Sequence, residues 1–471
     1  MTASGVDSGP LLAAELSVTA GVAFLAVALW IAVKRPWLGM IFFLVLFAFA
    51  WRLVSVLYID VFGPLFSEQL ALEIGPGIST VPIAVSQGIV IIALLFSFRQ
   101  QRVLRLFSRD GSALASRLPS GRFSFADLAF LAAALFVVAL CVELLLRGPI
   151  PLFAGIERFD YTRLYGGSLH RRLLEWGPML ALQLGIFFAI PLLHDRPSDR
   201  RFGALFGTLI LYLFLAGHRF SSLYVYSAFF VMPIGAVMVG GQAKFPSQGN
   251  GTSRKVLRYL AAAGVVLLLL IAIAVTYSYV VVRGEGGEIL SKLSQRILVQ
   301  QGEMWWMTYE RVFLHNEWSG SHAAYKLFIA PFDPARNTTM QFLMELALPL
   351  QRAHRIIALG SAYAGGWPEV FFELGGPIGG FVLVALSAII FSEFMFLMTR
   401  CIIQERFATC FFLTPIMFAL SITIVSGMVN SFIQVTFLVK VAVALVAYIT
   451  EDRWRLSLIL PGHSAGSEKE A

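Results

Sequence analysis

The 471 residues are 58% hydrophobic and 14% charged, with a mean hydropathy of +0.77, which excludes an ordinary soluble globular chain. The formal charge of +8 is divided among many short loops, a pattern that suits anionic lipid and argues against nucleic acid. Cys141, Cys401 and Cys410 fall in or beside apolar runs without C-x-x-C or metal-ligand spacing, so neither a disulfide framework nor a zinc site is expected. The fold class that follows is all-α: a polytopic transmembrane helical bundle forming a single membrane domain over 1–471.

Taken in order, about eleven apolar runs reach spanning length: 11–33, 37–60, 78–98, 125–147, 174–193, 202–217, 223–240, 259–282, 368–398, 409–427 and 431–449. The residues before Leu11 carry no basic cluster, so the first run is expected to be a retained span. Lys34/Arg35, the arginines of 99–122, Arg196/Arg200/Arg201, Lys244 to Arg258, Arg400/Arg406 and the tail 451–471 fall on one side if the N-terminus is outside. Two larger outer loops result, 148–173 and 283–367, each with room for short amphipathic helices. Their arginines run against the positive-inside bias and so point to a task, the alternative being solvated loop charge.

The first outer loop reads GPIPLFAGIERFDYTRLYGGSLHRRL from Gly148 to Leu173. Arginine forks bind two phosphate oxygens and stay charged when partly desolvated, which makes Arg158 and Arg163, with Tyr161 between them, phosphate or sugar candidates. The competing reading pairs them with Glu157 and Asp160. Between the sixth and seventh runs, Gly217 is placed to end one helix and Ser221 or Ser222 to cap the next, beside Arg219 and His218. The free N–H groups of that helix would favour an anion, although an ordinary hairpin turn also fits.

The second outer loop opens with an amphipathic stretch over 289–313. Helical spacing would set Arg296, Glu303 and Glu310 on one polar stripe with Gln300 alongside, lining a cleft or facing solvent. Trp305 and Trp306 would anchor it at the interface or stack on sugars. Arg52 and Lys440 lie inside apolar runs, where charge ordinarily meets a cavity or a partner. Trp367-Pro368-Glu369 starts a long run broken by Gly375-Gly376-Pro377, which predicts a kink near its outer end. There is no P-loop, D-x-D or H-E-x-x-H pattern, so no cofactor and no metal are expected; His315 and His322 near Glu317 are too few for a metal site.

These features together, with the P-L-F-x-G-I-E-R-F-D-Y-T-R run at Pro151–Arg163, the G-H-R-F-S-S turn and the Q-x-G-E element at Gln300–Glu303, resemble the O-antigen or oligosaccharide repeat-unit polymerases of the Wzy type. The resemblance extends from about Arg99 to the last span. It implies a bacterial inner-membrane glycosyltransferase that acts without metal on the periplasmic face. Its donor and acceptor would be undecaprenyl-pyrophosphate-linked oligosaccharides, with a chain-length regulator and a flippase as further partners. An arginine followed eleven residues later by glycine, found in the outer loops of some members, is matched by Arg355 and Gly366 but not by Arg158 or Arg163.

Cleaving a sugar–pyrophosphate bond without metal needs cations on the leaving group and a base for the attacking hydroxyl. Arg158, Arg163, Arg219, Arg296 and Arg355 are the binding candidates. Glu303, His170, His218 and Glu157 are the candidate bases, with Glu303 first because its stripe contains Arg296. An O-antigen ligase, differing only in acceptor, and a membrane transporter or flippase remain open as alternatives.

Overall fold

The computed structural model describes residues 8–103, 125–156, 158–194, 197–218, 220–244, 294–329, 339–358 and 365–459. The described chain is an all-α helical bundle apart from one two-stranded sheet, and eight of its helices are long and apolar enough to cross a membrane. Long apolar stretches can satisfy their backbone in lipid only by closing it into helices, and the chain is accordingly a multi-pass membrane protein. Three of the expected runs are not among these eight. The run 202–217 forms a shorter helix, Arg200–Leu215, of 16 residues. The run 259–282 lies outside the described residues, and the last run begins with a 3-10 turn at Val429–Ile433 before its helix at Val435–Ile459.

Two compact units divide the chain. The first comprises Met1–Phe98, Gly287–Phe396 and Met417–Leu438. Its amino-terminal part runs α1 (Ser8–Lys34), α2 (Pro36–Ile41), α3 (Phe43–Phe62), strands β1 (Leu65–Ser67) and β2 (Leu72–Ile74), then α4 (Thr80–Ser97). The sheet is an antiparallel hairpin in which Leu65 faces Ile74 and Ser67 faces Leu72. An all-α reading missed it. The base of the hairpin closes on the end of α3 because Gly63 and Gly75 lack side chains: a Cβ on Gly75 would lie 2.4 Å from the Ile59 carbonyl oxygen, and its φ of 79° is in the left-handed region.

The second unit comprises Arg99–Gly286, Leu397–Ile416 and Val439–Ala471. Here α5 (Phe125–Arg147) leads through two short helices, α6 (Pro151–Ala154) and α7 (Arg158–Leu164), into α8 (Ser168–Ala189), α9 (Arg200–Leu215) and α10 (Phe220–Lys244). The run expected from 174 starts six residues earlier, so His170, Arg171 and Arg172 stand on the first turns of α8 and not in a loop. The remaining helices are α11 (Glu303–Tyr309), α12 (Gly320–Ala324), α13 (Thr339–Ala347), α14 (Leu350–Ala358), α15 (Glu369–Ile403), α16 (Phe407–Ser426) and α17 (Val435–Ile459). In α15 the expected break is real: Gly376 is non-helical at φ 69°, and the ring of Trp318 packs against it. The three cysteines form no disulfide.

Candidate active site

The first unit buries a carboxyl under the hairpin. The segment leading to it, Gln295–Val299, is π-helical and runs along α3: Trp51 Nε1 donates to the Ile297 carbonyl at 3.0 Å, and Ser55 Oγ to those of Leu298 and Val299 at 2.9 and 3.1 Å. A Cβ on Gly302 would sit 2.9 Å from Ile59 and 3.0 Å from Ser55 Oγ, so glycine allows the close approach that starts α11. A second π-helical turn, Glu310–Leu314, follows α11. These turns widen the helix and abolish the seven-residue spacing, a form often found at functional sites.

The expected stripe of Arg296, Glu303 and Glu310 is therefore not continuous. Arg296 and Glu310 are half-buried, whereas Glu303 turns inward and is 0% exposed. Ser67 Oγ on β1 donates to Glu303 Oε2 at 2.5 Å and accepts from the Leu70 amide at 3.1 Å. Glu303 Oε1 is buried and has no hydrogen-bond partner. Burial pushes this carboxyl up to about 7; the Ser67 bond opposes the shift and the neighbouring Glu68 charge adds to it. A carboxyl near neutrality, bonded to one hydroxyl with its other oxygen unpartnered, is a candidate proton acceptor.

Around it the interior is aromatic and hydroxyl-rich. Trp305 and Trp306 are buried within the protein: Trp305 Nε1 donates to the Ser79 carbonyl at 2.8 Å, and Trp306 fills the space over Gly77. Asp60, at the end of α3, accepts from Ser17 Oγ (3.0 Å), Ser79 Oγ (2.8 Å), Thr80 N (2.6 Å) and Thr80 Oγ1 (2.6 Å). That carboxylate caps α4 from a distance and ties α1, α3 and α4 together. Arg52 meets Glu369 and the Trp367 carbonyl, all buried, so the charge inside α3 has a partner. Arg52 Nε, Glu369 Oε2 and Trp367 Nε1 are nevertheless orphaned. Glu373 on α15 accepts from Ser319 Oγ at 2.8 Å and Arg311 Nε at 3.2 Å, fixing the loop between.

In the second unit the structure brings His170, His218 and Tyr161 together. The two imidazoles are 5.9 Å apart and Tyr161 meets His170 edge-on at 5.2 Å. Every polar atom of His170 is held: Nδ1 with Tyr212 OH at 2.8 Å, Nε2 with Thr162 Oγ1 at 3.2 Å, and its amide on Glu143 Oε2 at 2.9 Å. Glu143 takes the place of a missing N-cap side chain, because a Cβ on Gly167 would lie 1.4 Å from its Oε1. Burial beside the Glu143 charge raises the Tyr161 hydroxyl above its ordinary value. Gly217, at φ 76°, ends α9 as expected, with the His218 amide reaching the Leu213 carbonyl at 2.9 Å. Ser222 lies within α10 and its hydroxyl bonds His218 Nδ1 at 3.1 Å.

The arginine candidates are less gathered. Arg163 is 76% exposed and pairs with Asp160 at 3.3 Å, the competing reading of that loop. Arg355 is exposed on α14, and its neighbour Arg352 donates to the Glu68 carbonyl at 3.1 Å. Glu157 and Arg219 lie outside the described residues, as does the side chain of Arg158. Among the described residues no three His, Cys, Asp or Glu side chains converge on one point.

Ser67, Glu68, Asp60, Tyr212 and Glu143 were not singled out from sequence. A signal for the hairpin existed: Gly63-Pro64 and Gly75-Pro76-Gly77 bracket Leu65–Ile74, the punctuation expected at the ends of a short strand pair. Residues 333–441 match a family described as a family of unknown function (DUF6418). No curated protein and no solved structure matches the chain.

Proposed function

We propose that this protein is a membrane glycosyltransferase of the repeat-unit polymerase kind, joining undecaprenyl-pyrophosphate-linked oligosaccharides at the outer, periplasmic face of a bacterial inner membrane. The observation that carries the reading is Glu303, a buried carboxyl in the outer loop segment raised to about 7 with one oxygen orphaned. In the proposed reaction a sugar hydroxyl of the acceptor gives its proton to Glu303 Oε1 as its oxygen bonds the donor's anomeric carbon. The bond from that carbon to the pyrophosphate breaks, and the electron pair leaves on undecaprenyl pyrophosphate. Arginines of the same unit, Arg355 among them, supply positive charge for that leaving group. Arg296 stands on the approach to Glu303. An O-antigen ligase would use the same chemistry with a lipid A–core acceptor.

The test is incubation of purified protein with an undecaprenyl-pyrophosphate oligosaccharide: a ladder of products supports the reading, and its absence with properly folded protein and authentic substrate removes it. A transporter or flippase is the second reading, favoured by the buried Arg52–Glu369 pair with its orphaned atoms inside apolar helices. Movement of the same lipid across a vesicle bilayer, without any ladder, would select it. The proposed orientation, N-terminus outside and C-terminus inside, is checked by cysteine labelling in 111–116 and 315–322.

A further inference from the structure

The burial that raises Glu303 also closes it off from an acceptor, and the hairpin forms part of that cover. The hairpin covers the carboxyl through Ser67, and among the described residues Gln295 Nε2 donates to the Phe66 carbonyl at 2.8 Å and Arg352 on α14 to that of Glu68 at 3.1 Å. Its outward residues Phe66 and Glu73 are exposed, while Ser67, Leu70 and Ile74 are buried beneath it. Opening it would break these side-chain hydrogen bonds and uncover buried Leu70 and Ile74.

We propose that the β1–β2 hairpin is a lid over Glu303, with Ser67 as its latch and Glu68 as the charge that favours release once Glu303 loses its proton. This rests on the reading of Glu303 as the reacting base. The charge that acts on it is Glu68 on the hairpin, and the elements around it carry Asp60 and Arg52 on α3, Arg296 and Glu310 in its own segment, Glu345 on α13, Arg352 on α14 and Glu369 on α15. Arg52 is engaged by Glu369, and Lys326 by Glu345, so these cations are already paired. An ionised Glu303 beneath the closed hairpin has one hydroxyl donor and an acidic neighbour. In the open state water solvates it. Loss of the proton then both creates the base and exposes it to the acceptor.

The sign follows from linkage. The closed state holds the proton up to about pH 7, whereas an exposed glutamate loses it near pH 4.3, so opening rises about tenfold per pH unit between those values and levels off above pH 7. The experiment places cysteine at buried Leu70 in the full chain with Cys141, Cys401 and Cys410 replaced, and measures labelling by a water-soluble maleimide in detergent. Rates are divided by those of an exposed Glu73→Cys control. We expect a steep rise from pH 5 to 7, a plateau above it, and a slow, flat profile when Glu303→Gln is added. Ser67→Ala should speed labelling already at pH 5. Hydrogen exchange of the hairpin amides in the unsubstituted chain, corrected for its intrinsic pH dependence, reads the same opening without the Leu70 change. A flat profile in both measurements, or the same rise with Glu303→Gln, overturns the lid. Neither measurement uses a glycan, so a lid that opens in a protein that makes no ladder rejects the polymerase and keeps the lid.

Discussion

Glu303 and His170 are both buried ionisable side chains, one in each unit, and they are held in opposite ways. His170 has a partner for its amide and for both ring nitrogens. Glu303 has one bond and one orphaned oxygen. Buried polar groups are nearly always satisfied, so a saturated set reads as architecture and an orphaned atom as a place where something else is meant to bond. His170 ties α5, α7, α8 and α9 together, whereas Glu303 is left ready for a proton.

The largest expected effect breaks the comparison directly. Glu303→Gln keeps shape and removes the base, so single-turnover transfer should fall about 10²- to 10⁴-fold with donor binding retained. Near-normal turnover would remove Glu303 from the chemistry and return attention to His170 and His218.

Next in size is the buried pair of the first unit. Arg52→Met alone should cost about 3–5 kcal/mol in thermal or denaturant unfolding, because buried Glu369 is left without its partner. Arg52→Met with Glu369→Met should recover much of that loss, and an equally unstable double variant would show that packing and not pairing matters there.

His170→Ala should destabilise by about 2–4 kcal/mol through a lost ring and two unanswered hydroxyls, those of Tyr212 and Thr162. Glu303→Gln provides the contrast. Its folded-state carboxyl is raised, so the native chain has its full Glu303 contribution below about pH 4.3 and loses up to about 3 kcal/mol of it as pH rises to 7. The Gln variant should match the native chain at pH 5 less closely with each unit of pH, and exceed it in melting temperature at pH 8. Equal pH dependence of both chains would mean that the carboxyl is not buried in solution.

The smallest effects concern exposed charge. Arg163→Ala should leave stability within about 0.5 kcal/mol, since its pair with Asp160 is solvated. Any effect on donor affinity then reports phosphate contact, and Lys at that position should restore it only in part because it lacks the fork. Chelator should leave transfer intact; loss with rescue by one divalent ion would sink the use of arginines in place of a metal.

Residue types in their order determined much of this protein without help from distant parts of the chain. Runs such as Phe125–Arg147 must become helices because lipid offers no partner for an open backbone, and Gly217 and Gly376 marked a helix end and a kink through their own conformational freedom. The phosphate-binding expectation for the outer arginines likewise rested on residue type alone. Only the tertiary structure decided which polar groups meet. Ser67 reaches Glu303 across 236 residues, and Arg52 reaches Glu369 across 317. Helical periodicity placed Glu303 on one polar stripe with Arg296 and Glu310 because it assumes one regular helix, and the π-helical turns on either side broke that stripe and left Glu303 buried. Hydropathy is a sum over neighbours in the chain, whereas the partner of a buried charge is chosen by which helices face one another.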